Sequence, residues 1–247
     1  MHCHAHAIEV DHLNYRYQDG TLALCDVSFL ISHGMRVALL GPNGAGKSTL
    51  IEHLNGIILP QEGRILIEDV VVGPSTLATV RERVGIVFQD PDNMLFMTSI
   101  AQDVAFGPLN MGLDGTEVEN RTNDALAAVS LDEKRDKPGM HLSFGQKKRA
   151  ALATVLSMQP RVLVLDEPTS NLDPRAKRNM SELLEHLDIT LLIATHDMEL
   201  AWNMCDTAIV LDEGRIVCMG DAHEIMGNEK LMLEHGLEVP PSARCQQ

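Results

Sequence analysis

Gly41-Pro42-Asn43-Gly44-Ala45-Gly46-Lys47-Ser48 fits the phosphate-binding pattern G-x-x-x-x-G-K-[ST], and its reading decides the fold. The glycines let the backbone curl so that N–H groups face an anion. Lys47 then reaches phosphate oxygens, and the Ser48 hydroxyl is suited to ligate magnesium. Before this stretch, Arg36-Val37-Ala38-Leu39-Leu40 is a short apolar run, and after it Thr49-Leu50-Ile51-Glu52-His53-Leu54 has helical apolar spacing. Strand, loop and helix in that order predict an α/β fold that binds a nucleoside triphosphate. A plain glycine turn before an ordinary helix is the alternative reading of the same residues.

Working outward, the 247 residues suffice for one large α/β domain with an inserted lobe. Thirty-five acidic against twenty basic residues give a net charge of −15, which argues against general affinity for nucleic acid; none is expected as a partner. No apolar stretch approaches the roughly eighteen residues of a membrane helix, and the start, Met1-His2-Cys3-His4-Ala5-His6, lacks the apolar core of a signal peptide. A cytosolic chain is the expectation. Its five cysteines, at 3, 25, 205, 218 and 245, form no C-x-x-C pair and read as reduced thiols.

Residues 8–33 alternate apolar and polar around Asp19-Gly20, predicting an antiparallel sheet with a hairpin turn there. From about residue 99 to 159 the pattern turns helical, including 116–129 and 147–156. Strand signals return at Val162-Leu163-Val164-Leu165, at Thr190-Leu191-Leu192-Ile193-Ala194, and at residues 208–211, which pair with 216–219 across Asp212-Glu213-Gly214. The expected organisation is a single domain: a core of residues 1–89 and 160–226 with an antiparallel β part, an inserted helical subdomain of residues 90–159, and a C-terminal tail of residues 227–247. The Pro240-Pro241-Ser242 stretch reads as loosely held.

The apolar run 162–165 ends in Asp166-Glu167. Beside a phosphate loop, Asp166 is suited to hold magnesium and Glu167 to orient and deprotonate the water that attacks the γ-phosphate in line. An acidic pair that merely ends a strand and caps the next segment reads the same in isolation. His196, beyond the 190–194 strand, and Gln89, after Val84-Gly85-Ile86-Val87-Phe88, pose the same choice between ligand contact and a satisfied structural residue. Leu142-Ser143-Phe144-Gly145-Gln146 begins a helix with Ser143 as N-cap, leaving N–H groups that suit an anion.

That last pentapeptide, twenty-three residues before Asp166 counted from Ser143, resembles the signature sequence of the ABC ATPase superfamily. The resemblance covers nearly the whole chain. Tyr17 matches the aromatic that stacks on adenine, residues 41–49 Walker A (Gly41, Pro42, Asn43, Gly44, Ala45, Gly46, Lys47, Ser48 and Thr49), Gln89 the Q-loop and Asp166-Glu167 Walker B. Ser170-Asn171-Leu172-Asp173 matches the D-loop and His196 the switch histidine. The resemblance implies ATP and Mg2+ as cofactors, with Ser48, Gln89 and Asp166 around the metal and Lys47, Gln89, Glu167 and His196 in catalysis. It also implies a head-to-tail pair of chains sandwiching two ATP molecules, each site completed by the partner copy's Ser143, Gly145, Gln146 and Asp173. Phe144 stands where the family usually has glycine and adds bulk beside the transferred phosphate.

Asp90-Pro91-Asp92-Asn93-Met94-Leu95-Phe96 is similar to the segment that marks energy-coupling-factor importers, where it forms a helix at the membrane-subunit groove; that subfamily often has glutamine where Met94 stands. Residues 142–149 and 163–169 look most like the cobalt or nickel branch. The implied partners are a transmembrane coupling subunit and a substrate-binding membrane subunit, with this chain peripheral on the cytoplasmic face. His2, Cys3, His4 and His6, with His12 nearby, offer ligands that borderline divalent metals favour, and read equally as a solvated tail or cloning remnant. A soluble ABC ATPase acting on nucleic acid is the rival class; the two nucleotide domains, long coiled coil or zinc modules usual there are missing from this sequence. A metal sensor would leave the nucleotide motifs unexplained.

Overall fold

The computed structural model describes residues 6–244. They form two compact units: one of residues up to Val84, Arg161–Glu167 and Asp188 onward, the other of Gly85–Pro160 and Pro168–Leu187. In chain order the elements begin with β1 (His6–Arg16), β2 (Leu22–Ser32), β3 (Arg36–Leu40), α1 (Lys47–Leu54), β4 (Glu62–Ile67), β5 (Val70–Val71), α2 (Leu77–Arg83) and β6 (Val84–Val87). There follow α3 (Ile100–Asn110), α4 (Gly115–Ala128), α5 (Phe144–Leu156), β7 (Val162–Asp166) and α6 (Pro174–Glu185). The chain closes with β8 (Thr190–Ala194), α7 (Met198–Met204), β9 (Thr207–Asp212), β10 (Arg215–Asp221), α8 (Ala222–Gly227), α9 (Glu229–Glu234) and α10 (Pro241–Arg244).

In the first unit, β1 pairs antiparallel with β2 from His6↔Ser32 to Arg16↔Leu22, so the hairpin closes over Asp19-Gly20 as its sequence requires. The antiparallel strands run in the order β2-β1-β4-β5. The other strands of this unit run β10-β9-β3-β8-β7, with β9, β3, β8 and β7 mutually parallel and β10 antiparallel to β9. Burial explains the sequence patterns: β8 is buried at every residue and β3 at all but its first, whereas the edge strand β10 alternates exposed and half-buried positions. Parallel strands all pointing one way gather their carboxyl ends, and the loops that follow them, at one edge.

The second unit is helical, and its helices start where polar caps stop the preceding loops. Ser99 caps α3, Asp114 caps α4, Ser143 caps α5 and Asp173 caps α6, each accepting backbone N–H groups of the first turn. Residues 168–187 cluster with this unit. The segment at 90–96 contains only a single 3-10 turn, Pro91–Asn93, which Asp90 opens by accepting from Asp92 N–H.

The chain end differs from the loosely held tail that its prolines suggest. Ser242 donates its backbone N–H (2.8 Å) and its hydroxyl (2.7 Å) to the Glu199 carboxylate, and Leu237, Val239 and Ala243 are buried. The acceptor lies 43 residues upstream, so no local pattern announces it. Among the described residues, no helix is long and apolar enough to cross a membrane.

Candidate functional site

The loop after β3 is fixed by backbone crowding. Gly41 has φ 153°, and a Cβ there would run into the carbonyl of Leu211; Gly46 has φ 103°, and a Cβ there would sit 2.6 Å from the carbonyl of Ala23. Only glycine meets both demands, and the chain enters α1 with Gly46 in the left-handed region as N-cap. Among the described residues no side chain caps α1, which leaves first-turn N–H groups available to an anion. Asn43 and Gly44 are exposed, while Gly41, Ala45 and Thr49 are buried.

Lys47 turns its ammonium back onto the loop, donating to the carbonyls of Gly41 (2.7 Å) and Pro42 (3.0 Å). Burial pulls its pKa down, and the charges of Glu167 and Asp166 oppose that shift. Ser48 Oγ donates to Asp166 Oδ2 at 3.3 Å. An exposed hydroxyl hydrogen-bonded to the carboxylate that ends β7 forms a hard oxygen pair suited to Mg2+. Glu52, one turn along α1 from Ser48, has its pKa raised by burial and then by Asp166.

Glu167 follows the end of β7 with φ 49°, a conformation that non-glycine residues rarely adopt. Its N–H donates to the Ala194 carbonyl (2.8 Å), which continues the pairing of Asp166 with Ala194. The carboxylate is nearly buried, at 10% side-chain exposure, yet its Oε1 lies 2.8 Å from Nδ1 of His196, which is 66% exposed. Oε2 accepts longer bonds from His196 N–H and Thr195 Oγ1, both 3.4 Å. Asp197 caps α7 and holds the histidine-bearing turn. Glu167 and His196 thus meet, as do Ser48 and Asp166.

Tyr17 is 39% exposed, and its hydroxyl is 2.7 Å from the Thr49 hydroxyl. Behind it the structure supplies residues that motif reading missed. Tyr15 packs edge-on against both Tyr17 (5.1 Å) and His53 (4.7 Å), and His53 Nδ1 meets the Thr49 carbonyl at 2.7 Å. His53 is fully buried, which lowers its pKa. An imidazole one helical turn after Thr49 carries no sequence signal of this role.

In the second unit, Ser143 and Gln146 form a reciprocal capping box at the start of α5. Ser143, Phe144, Gly145 and Gln146 line a cavity of about 450 Å3 together with Asn171, Leu172 and Asp173. Asp173 accepts from the N–H groups of Arg175 and Ala176, both at 2.9 Å. Gln89 is exposed just after β6. Lys147 pairs with Asp92 at 2.6 Å, tying the start of α5 to the segment that follows Gln89.

Of the N-terminal cluster, His2, Cys3 and His4 lie outside the described residues. His6 starts β1, and His12 meets Asp26 (2.6 Å) and Asp11 (3.7 Å), carboxylates that hold its pKa up. Among the described residues, no group of three or more His, Cys, Asp or Glu side chains is placed to hold a metal ion.

Comparison with known proteins fits this geometry. Residues 24–170 match the ABC transporter family. The chain is 44% identical over 237 residues to the energy-coupling factor transporter ATP-binding protein EcfA of Carboxydothermus hydrogenoformans, covering 95% of this chain and 87% of that one. The solved structure of cbiO1 from Clostridium perfringens, part of the ABC transporter complex cbiONQ, superposes with TM-score 0.83 at 42% identity, over 98% of this chain and 99% of that one. A dimeric ATP-binding cassette in a post-hydrolysis state, bound to ADP and Pi, superposes with TM-score 0.79 at 25% identity, over 87% and 98%. With a P-loop fold that carries an antiparallel β part and a helical part, the chain belongs to the ABC transporter family of ATP-binding proteins, enzymes that hydrolyse ATP to drive transport.

Proposed function

We propose that this chain is the motor subunit of an energy-coupling-factor importer whose cargo is cobalt or nickel ions. The observation that carries the importer reading is the match to cbiO1 over 98% of this chain and 99% of that one. The cargo rests on the resemblance of residues 142–149 and 163–169 to the cobalt or nickel branch. In this reading two copies close head-to-tail on ATP at the cytoplasmic face of the membrane. They act there on a transmembrane coupling subunit and a substrate-binding membrane subunit.

The residues divide the work by their chemistry. N–H groups of residues 41–49 bind the phosphates, and Lys47 exchanges its two carbonyl acceptors for phosphate oxygens, which offset its desolvation. Tyr17 offers an exposed ring to the base. Ser48 and Asp166, with Gln89, would hold Mg2+, which when bound neutralises charge on the β- and γ-phosphates. Glu167 takes the proton of the attacking water, and His196 orients Glu167 and contacts the γ-phosphate. Ser143, Gly145, Gln146 and Asp173 complete the site of the other copy. Closure and reopening then pull on the membrane subunit through residues 89–96.

The test is uptake of labelled nickel and cobalt by cells expressing the chain with its neighbouring membrane components, comparing wild type with Lys47→Ala and Glu167→Gln. Uptake of one ion, lost in both variants, is the expected result. ATP-dependent uptake of neither ion would overturn the cargo and leave an ABC importer of another small solute.

A further inference from the structure

The second unit contains a buried cation that the reaction scheme above does not use. Lys148, on α5, is only 3% exposed, and its ammonium donates to Ser170 Oγ at 3.0 Å. Burying an ammonium is costly unless it finds acceptors, so the side chain is held by what it bonds. Ser170 is itself 9% exposed and opens the loop that runs to Asp173. In that loop Asn171 turns the backbone with φ 60° and Asp173 caps α6. The Lys148 ammonium also stands 5.8 Å from the centre of the Phe144 ring, one turn earlier on α5.

We propose that Lys148 is a positioning residue that clamps the Ser143-bearing helix to the Ser170–Asp173 loop, so that both parts offered to a second copy move as one piece. The packing around the bond is consistent with a clamp. A Cβ on Gly145 would lie 3.1 Å from Ala176 Cβ on α6 and 3.6 Å from Leu172 in the loop, so α5 packs closely against both the loop and the helix that follows it. Phe144 fits the same scheme: the ammonium stands over its ring, and the residue, 36% exposed, lines the cavity. The bond thereby sets the shape of the surface that meets the other copy's phosphate, without Lys148 touching nucleotide.

This inference rests on the head-to-tail pairing proposed above, and the experiment separates the two. In a Glu167→Gln background, ATP-dependent dimerisation of the full chain is followed by analytical ultracentrifugation for the parent, Lys148→Met, Ser170→Ala and the double variant. ATP affinity of the monomer is measured in parallel by calorimetry, and folding by circular dichroism. The expected result is a rise of about tenfold in the protein concentration for half-dimerisation in each single variant, the loss of one hydrogen bond to a charged group. The double variant should be no worse than either single one, with ATP affinity within about twofold of the parent. Ser170→Ala keeps the lysine, so it tests the clamp even where Lys148→Met folds poorly. Unchanged dimerisation in Ser170→Ala, or additive losses in the double variant, would overturn the clamp. A parent that stays monomeric with ATP would remove the head-to-tail pairing itself, and the clamp with it.

Discussion

Nδ1 of His196 lies 2.8 Å from Oε1 of Glu167, joining residues that follow the ends of two adjacent parallel strands, β7 and β8. The carboxylate is held by an exposed imidazole and a strained backbone turn, a geometry suited to a base that must change partners when a water and a γ-phosphate arrive.

Replacing Glu167 by Gln keeps the shape and the acceptor oxygen but leaves no group to take a proton. Phosphate release at saturating ATP should fall by about 10²–10⁴-fold, with ATP affinity preserved. His196→Ala removes the orienting partner and should also lower turnover, with the carboxylate still present. Turnover of Glu167→Gln within about threefold of wild type would transfer the role of base to another group.

Lys47 makes two hydrogen bonds to loop carbonyls, and burial lowers its pKa. Lys47→Met keeps the length and loses every donor. ATP affinity measured by calorimetry should weaken by about 10–100-fold, the range for losing charge-assisted bonds. The loop itself should persist, because Gly41 and Gly46 are set by the carbonyls of Leu211 and Ala23 rather than by the lysine.

What the sequence made legible is local. The phosphate loop, the carboxylate pair ending a buried strand and the cap at Ser143 are each written in a few consecutive residues whose chemistry fixes their geometry. The missed features depend on distant partners. Ser242 bonds Glu199 across 43 residues, and Lys148 bonds Ser170 across 22, and neither pair has a periodic pattern. His53 was legible as part of a helix, but its burial against Tyr15 follows from the strand pairing of β1 and not from α1.

His53 predicts a specific pH dependence of stability. Its pKa is lowered by burial, so between the ordinary imidazole value of about 6.5 and its folded value the unfolded chain binds more protons than the folded one. Its contribution is therefore present above about pH 6.5 and is lost as pH falls, with a slope of at most about 1.4 kcal/mol per pH unit. His53→Phe keeps a ring against Tyr15 and removes the titration. Urea unfolding at pH 8 and pH 5.5 should show a smaller loss in the variant; equal losses would assign the acid sensitivity elsewhere. The exposed His12, whose pKa shifts the opposite way, is common to both proteins and cancels.

Asp103 gives the converse case. It is 3% exposed, its Oδ1 accepts from the N–H groups of Phe96 and Met97, both at 2.9 Å, and its buried Oδ2 has no hydrogen-bond partner among the described residues. Burial raises its pKa, with the two N–H groups opposing. An acid whose folded pKa is raised stabilises below its unfolded value of about 3.9 and loses that stability as pH climbs through the folded pKa, so the ionised group is a cost at neutral pH. Asp103→Asn retains the Oδ1 acceptor and removes the charge. Its Tm at pH 7 should equal or exceed that of wild type, with the difference narrowing toward pH 4. Asp103→Ala should lower Tm throughout, because two N–H groups lose their acceptor at about 1–3 kcal/mol each. The Asn variant falling as far as the Ala variant at pH 7 would show that the charge itself, and not the acceptor oxygen, holds the turn at Phe96.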